Sequence, residues 1–84
     1  MFDINFIINL FSSREHKINR LLYKIEEIEI LISHTQHTIN LTKSLEKSEN
    51  INLKDYIKFK ENNIKDYLSK IERLKDELKI IVKK

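Results

Sequence analysis

Apolar residues recur along this chain at the seven-residue spacing of paired helices. Taking Ile18 as position a, the a sites are Ile18, Ile25, Ile32 and Ile39, and the d sites are Leu21, Ile28, Thr35 and Thr42. At 3.6 residues per turn these positions share one face. No Gly or Pro interrupts the run from Arg14 to Lys47, so the spacing predicts one long helix over 13–47. Its start is predicted at Ser12-Ser13-Arg14-Glu15. This fits a capping box, in which Ser12 and Glu15 satisfy otherwise orphaned backbone donors reciprocally.

A second run places Ile57, Ile64, Ile71 and Leu78 at a, with Leu53, Lys60, Tyr67, Leu74 and Ile81 at d. Only Lys60 breaks the apolar rule, and the spacing predicts a helix over 53–83. Asn52 is expected to cap it, with Asp55 in the first turn where the helix dipole favours negative charge. Between the runs lies Ser48-Glu49-Asn50-Ile51-Asn52, a cluster of turn formers over 48–52. So short a connection returns the second helix antiparallel to the first.

The expected fold is therefore all-α: a single domain over 1–84, an antiparallel two-helix hairpin of coiled-coil type with a short N-terminal segment. Both helices are expected to be about 45–50 Å long and matched along the seam. Folding back near Asn50 sets Ile32 opposite Leu68, Ile28 near Ile71 and Leu21 near Leu78. Residues 1–11 carry two patterns. Phe2, Ile4, Phe6, Ile8 and Leu10 alternate as in a strand, while Ile4, Ile7, Ile8 and Phe11 share a helical face. A lone strand has no partner here, so a short amphipathic helix is expected.

Composition narrows the chemistry. The chain of 84 residues has no Gly, Pro, Cys or Trp, which removes phosphate-cradling glycine loops, disulfides, thiolate metal sites and cysteine nucleophiles. Sixteen Lys and Arg against thirteen Asp and Glu give a net charge of +3. The signs are interleaved, as on a solvated helix surface, which argues against a nucleic-acid partner. Neither a membrane-spanning run nor a secretory leader is read, and a cytoplasmic location is expected.

Two helices hide only one stripe of each other. Leu22, Leu31, Leu41, Leu45, Phe59, Leu68, Ile80 and Val82 lie wholly or partly off that stripe. A chain this small usually needs association, a metal or disulfides to be stable, so another polypeptide is expected to complete a bundle. It would be either a second copy, giving a four-helix bundle, or a different protein. The residues expected to meet it are Phe2, Ile4, Phe6, Ile7, Leu10, Phe11, Leu22, Leu31, Leu41 and Phe59.

Other clusters carry weaker signals. His34 and His37 are three residues apart, but no third ligand adjoins them, so neither a metal nor another cofactor is expected. Thr35, Thr42 and Lys60 make the loop-proximal seam polar, which reads as a looser, partly wet end, or else as a register device or open groove. Tyr56, Phe59 and Tyr67 interleave with Lys54, Lys58, Lys60 and Lys65, a mixture found on nucleic-acid stacking surfaces, diluted here by Asp55, Glu61 and Asp66. No acidic pair is placed in a pocket, and no enzymatic activity is expected.

The stretch from Leu45-Glu46 through Leu53 and Ile57 to Leu74 resembles the small subunit of exonuclease VII, with Ser48 and Asn63 standing where that family has glycines. Leu10-Phe11-Ser12-Ser13-Arg14-Glu15 is similar to the start of some needle-subunit co-chaperones of type III secretion. Both resemblances imply a helical hairpin serving a larger complex. The expected function is a non-enzymatic protein-binding module: an assembly chaperone, adaptor or accessory subunit. Two alternatives stay open. One is a nucleic-acid-associated factor using Lys54, Lys58, Lys65 and the C-terminal lysines; the other is a membrane-surface protein held by residues 1–11.

Overall fold

The computed structural model describes the backbone of residues 4–83 and the side chains of residues 13–83. The two heptad runs become two α-helices, α1 over Ile4–Glu49 and α2 over Lys54–Lys83, packed against each other as an antiparallel hairpin. Burial follows the heptads closely. Every a and d residue named above from Ile18 to Ile81 is buried or half-buried, and the side chains described elsewhere are exposed apart from Thr38, Glu46 and Asn63. Leu21, Ile25, Ile39, Ile57 and Ile71 form the core, and Ile39 is the most enclosed at 1% exposure. Each such side chain, fully buried, contributes about 1.5–3 kcal/mol.

The fold-back occurs at Asn50, whose φ of 54° lies in the left-handed region. Asparagine tolerates that conformation better than other residues with a side chain, and in a chain without glycine it takes the role glycine has at most helix ends. The Ile51 N–H donates to the Glu46 carbonyl at 3.2 Å. This bond, from the second residue past the helix end back to its last turn, closes a Schellman motif. The first intrahelical bond of α2 runs from Ile57 N–H to the Leu53 carbonyl at 3.0 Å, so Leu53 takes the cap position expected for Asn52. Asn52 still serves the helix start. Its Oδ1 accepts from Lys54 N–H at 3.2 Å, an Asx-type turn.

Two contacts, one at each end of the hairpin, tie the helices together. Near the loop, Glu46 Oε2 accepts from Leu53 N–H at 2.6 Å. At the other end, an Arg14 Nη2 donates to the Val82 carbonyl, also at 2.6 Å. The Val82 carbonyl belongs to the last turn of α2, where carbonyls lack helical donors and the dipole favours a cation. Between these ends, Ile28 lines one groove with Lys70, Arg73 and Leu74, and Leu21 lines another with Glu77, Ile80 and Ile81. Both pairings match the register that a fold-back at Asn50 requires.

Two expectations about α1 need correction. Its start is not at Ser12-Ser13, because the helix runs unbroken from Ile4 and the capping-box residues lie inside it. Nor are the helices matched: α1 has 46 residues and α2 has 30. At 1.5 Å per residue α1 spans about 69 Å and α2 about 45 Å, and the molecule measures 72 Å along its longest axis. The physical reason is cooperativity. An interior serine costs only a few tenths of a kcal/mol, whereas stopping at Ser12 would require a second unfavourable nucleation upstream.

At the level of Thr42 the loop-proximal seam is packed rather than left as an open groove. Ile39, Thr42 and Ile57 are buried, with Thr35 and Lys60 half-buried beside them. Thr42, 8% exposed, donates its hydroxyl to the Thr38 carbonyl at 2.7 Å. Among the described residues no buried side-chain polar atom lacks a partner. The Thr38 carbonyl also accepts the helical N–H four residues on, so removing the hydroxyl orphans nothing. Thr42→Val is therefore expected to stabilise the hairpin by about 0.5–1 kcal/mol through the added methyl. A thermal melt would check this, and a lower midpoint would show that the hydroxyl matters to the seam.

Candidate interaction surface

Heptad positions outside the seam sort into two edges. In an antiparallel helix pair the g positions of both helices flank one side of the seam and the e positions flank the other. The grooves show this arrangement directly. An open groove of about 420 Å³ is lined by Lys24, Lys70 and Glu77 at g, Glu27 and Arg73 at c, and Ile28 and Leu74 from the seam. One side of the hairpin is thus built from g and c residues of both helices, and the opposite side from e and b residues.

Near the loop, the g and c side becomes apolar. Leu41 and Leu45 lie one turn apart on α1, and Tyr56 and Phe59 lie one turn apart on α2. The register brings the two pairs level. All four are exposed: Leu41 and Leu45 at 53%, Tyr56 at 44% and Phe59 at 59%. The other g and c positions around them are Thr38, Ser48 and Asn63, none of them charged. Lys60 Nζ sits 5.5 Å from the centre of the Tyr56 ring, a cation–π contact that steadies one edge of the patch. Aromatic residues together with charge depletion mark the centre of protein interfaces more reliably than overall hydrophobicity does.

The residues expected to meet a partner divide accordingly. Leu41 and Phe59 come together in the patch. Leu31 lies farther along the same side, level with Lys70, and Leu22 falls on the opposite edge at an e position, so it is not part of one surface with them. Phe2 lies outside the described residues. For Ile4, Phe6, Ile7, Leu10 and Phe11 the backbone is helical within α1, and their side chains lie outside the described residues. In the sequence Tyr56 stands out only in an aromatic and basic mixture, and Leu45 only as an off-stripe residue. Their g positions, read with the fold-back point, are the signal that joins them to Leu41 and Phe59.

The aromatic and basic mixture itself is taken apart by the fold. Tyr56 and Phe59 stand at g and c, Tyr67 at d in the seam, and Lys54, Lys58 and Lys65 at e and b. Apart from Lys60, which stands at d with its ammonium over the Tyr56 ring, the lysines that alternate with the rings in sequence lie on the other side, and no stacking platform with a basic border results. His34 and His37 are exposed on α1, and the His34 carbonyl accepts from the Thr38 hydroxyl at 3.1 Å. Among the described residues no group of three His, Cys, Asp or Glu side chains is placed to hold a metal ion. Within the same residues no helix is long and apolar enough to cross a membrane. Comparison with protein-family models, with curated proteins and with solved structures finds no match, so functional inference rests on these surfaces alone.

Proposed function

We propose that the protein is a non-enzymatic binding module, a small adaptor, assembly chaperone or accessory subunit, that engages a protein partner through the loop-proximal side carrying Leu41, Leu45, Tyr56 and Phe59. The observation that supports this reading is a patch of four large exposed apolar side chains, contributed by both helices at one level and free of charged neighbours at g and c. Burying such side chains releases roughly 1.5–3 kcal/mol each, enough for a few of them to anchor an interface. The hairpin's own seam is complete without them. The reading keeps the cytoplasmic setting expected from the sequence. The partner is a second copy or a different protein, and the same patch would serve either.

Site-specific photo-crosslinking in the native cell tests this directly. A benzophenone side chain at position 59 is expected to give discrete protein adducts, and the same group at position 58, on the opposite side, is expected to give none. Equal labelling at the two positions, or none at either, would defeat the proposal. Sedimentation of the purified chain over a range of concentrations then separates self-association from a foreign partner.

A further inference from the structure

Folding back at Asn50 gathers lysines on one side as it gathers leucines on the other. Lys43 and Lys47 of α1 stand at e and b, and Lys54, Lys58 and Lys65 of α2 stand at e, b and b. All five are exposed along the loop-proximal half of the hairpin, and Glu61 is the acidic residue at an e or b position among them. Farther from the loop the same side carries Glu15, Glu26, Glu29 and Glu72 beside Lys75 and Lys79. The positive character is thus concentrated next to the loop, which a mild overall charge of +3 conceals.

We propose that this face binds the phosphate backbone of a double-stranded nucleic acid without reading its sequence. From the level of Lys65 to that of Lys47 the lysines span about 18 Å along the helices. A duplex carries one charge per 1.7 Å, so it offers about ten phosphate charges over that length. Ser33, Gln36 and Asn40 continue the e and b positions, with Gln36 Nε2 donating to Asn40 Oδ1 at 3.2 Å, and such side chains hydrogen-bond phosphate oxygens. The lysine ammonium is a mobile point charge rather than a planar fork, which suits neutralising a backbone more than recognising one carboxylate.

The alternatives fit less well. No apolar side chain stands at e or b between Ser33 and Lys47 or between Lys54 and Lys65. Exposed apolar side chains border the lysines only at the two ends, Ile51 in the loop and Leu68 beyond Lys65, so an acidic protein would find no central anchor to bury and a bilayer no continuous apolar face to receive. Single strands are held largely by stacking, and the exposed rings Tyr56 and Phe59 lie on the other side. A duplex needs neither feature, because release of its condensed counterions supplies the binding energy. This inference uses a different face from the protein-binding patch, so each stands or falls by its own test.

The test measures fluorescence anisotropy of the full chain with two labelled duplexes of unrelated sequence, about 20 base pairs long, from about 50 to 300 mM salt. Both duplexes are expected to bind alike, with log K falling against log salt at a slope of about −4 to −5. The triple variant Lys47→Gln, Lys54→Gln, Lys58→Gln is expected to lose at least tenfold in affinity and to flatten the slope by about 3, at unchanged helicity. Leu41→Ser with Phe59→Ser is expected to bind the duplex like the parent. The proposal is overturned by no binding at the lowest salt, by a triple variant that binds as well as the parent, or by tighter binding to single strands, polyglutamate or anionic vesicles.

Discussion

Ile39→Asp is expected to unfold the hairpin. Ile39 is the most enclosed side chain, 1% exposed, and neighbouring seam residues Thr42 and Ile57 are buried as well. A carboxylate there would be an uncompensated charge in an apolar seam, at a cost of about 3–5 kcal/mol. The whole stability of a chain this size is only about 4–13 kcal/mol. Loss of most far-ultraviolet helical signal at room temperature, or a melting midpoint lowered by tens of degrees, is the expected result. Ile39→Val removes one methylene and is expected to cost about 0.5–1.5 kcal/mol. Unchanged helicity and melting in the Asp variant would mean that Ile39 is not in the seam. Ile28→Asp, at another apolar heptad position, is expected to be milder. Ile28 is only half-buried and lines an open groove in which Lys24, Lys70 and Arg73 outnumber Glu27 and Glu77, so a carboxylate there stays near water and a net cationic charge.

The second large effect is expected at Glu46. Its carboxylate accepts from Leu53 N–H at 2.6 Å, tying the last turn of α1 to the first residue of the α2 start. Hydrogen bonds to a charged acceptor are roughly twice as strong as neutral ones, and a negative charge at a helix N-terminus adds about 0.3–1 kcal/mol. Glu46→Ala is therefore expected to destabilise by about 2 kcal/mol, lowering the melting midpoint by roughly 8–16 °C. Glu46→Gln keeps an acceptor without the charge and is expected to lose about half as much. Glu49→Ala, exposed and three residues on, is expected to stay within about 0.5 kcal/mol of the parent. Equal effects at positions 46 and 49 would show that the link across the loop contributes nothing.

Glu46 illustrates how far the sequence could be read. It occupies the next a position after Ile39, a place where the heptad rule calls for an apolar residue. That departure is visible in the letters, but its purpose is not. The carboxylate has a use only because the loop presents the Leu53 N–H to it. The same holds for Arg14, whose partner is a carbonyl 68 residues away. Asn52 was legible as a helix-start residue, one position off, because its side chain acts on the backbone two residues ahead. Ser12-Ser13 misled, since the same residues that cap a helix are tolerated inside one when the chain on both sides is already helical.

Which residues form the seam, and that two helices form it, followed from periodicity alone. Burial at a and d is a one-dimensional property: each helix turns 100° per residue, so the apolar face is set before any partner is chosen. Which flanking residues share a surface was decided only by the hairpin. Leu41 and Leu45 meet Tyr56 and Phe59, and Lys43 and Lys47 meet Lys54, Lys58 and Lys65, because Asn50 takes a left-handed turn at one point and so fixes which turn of α1 lies beside which turn of α2. A shift of that turn by one heptad step would leave the same a and d residues in the seam and still separate both clusters.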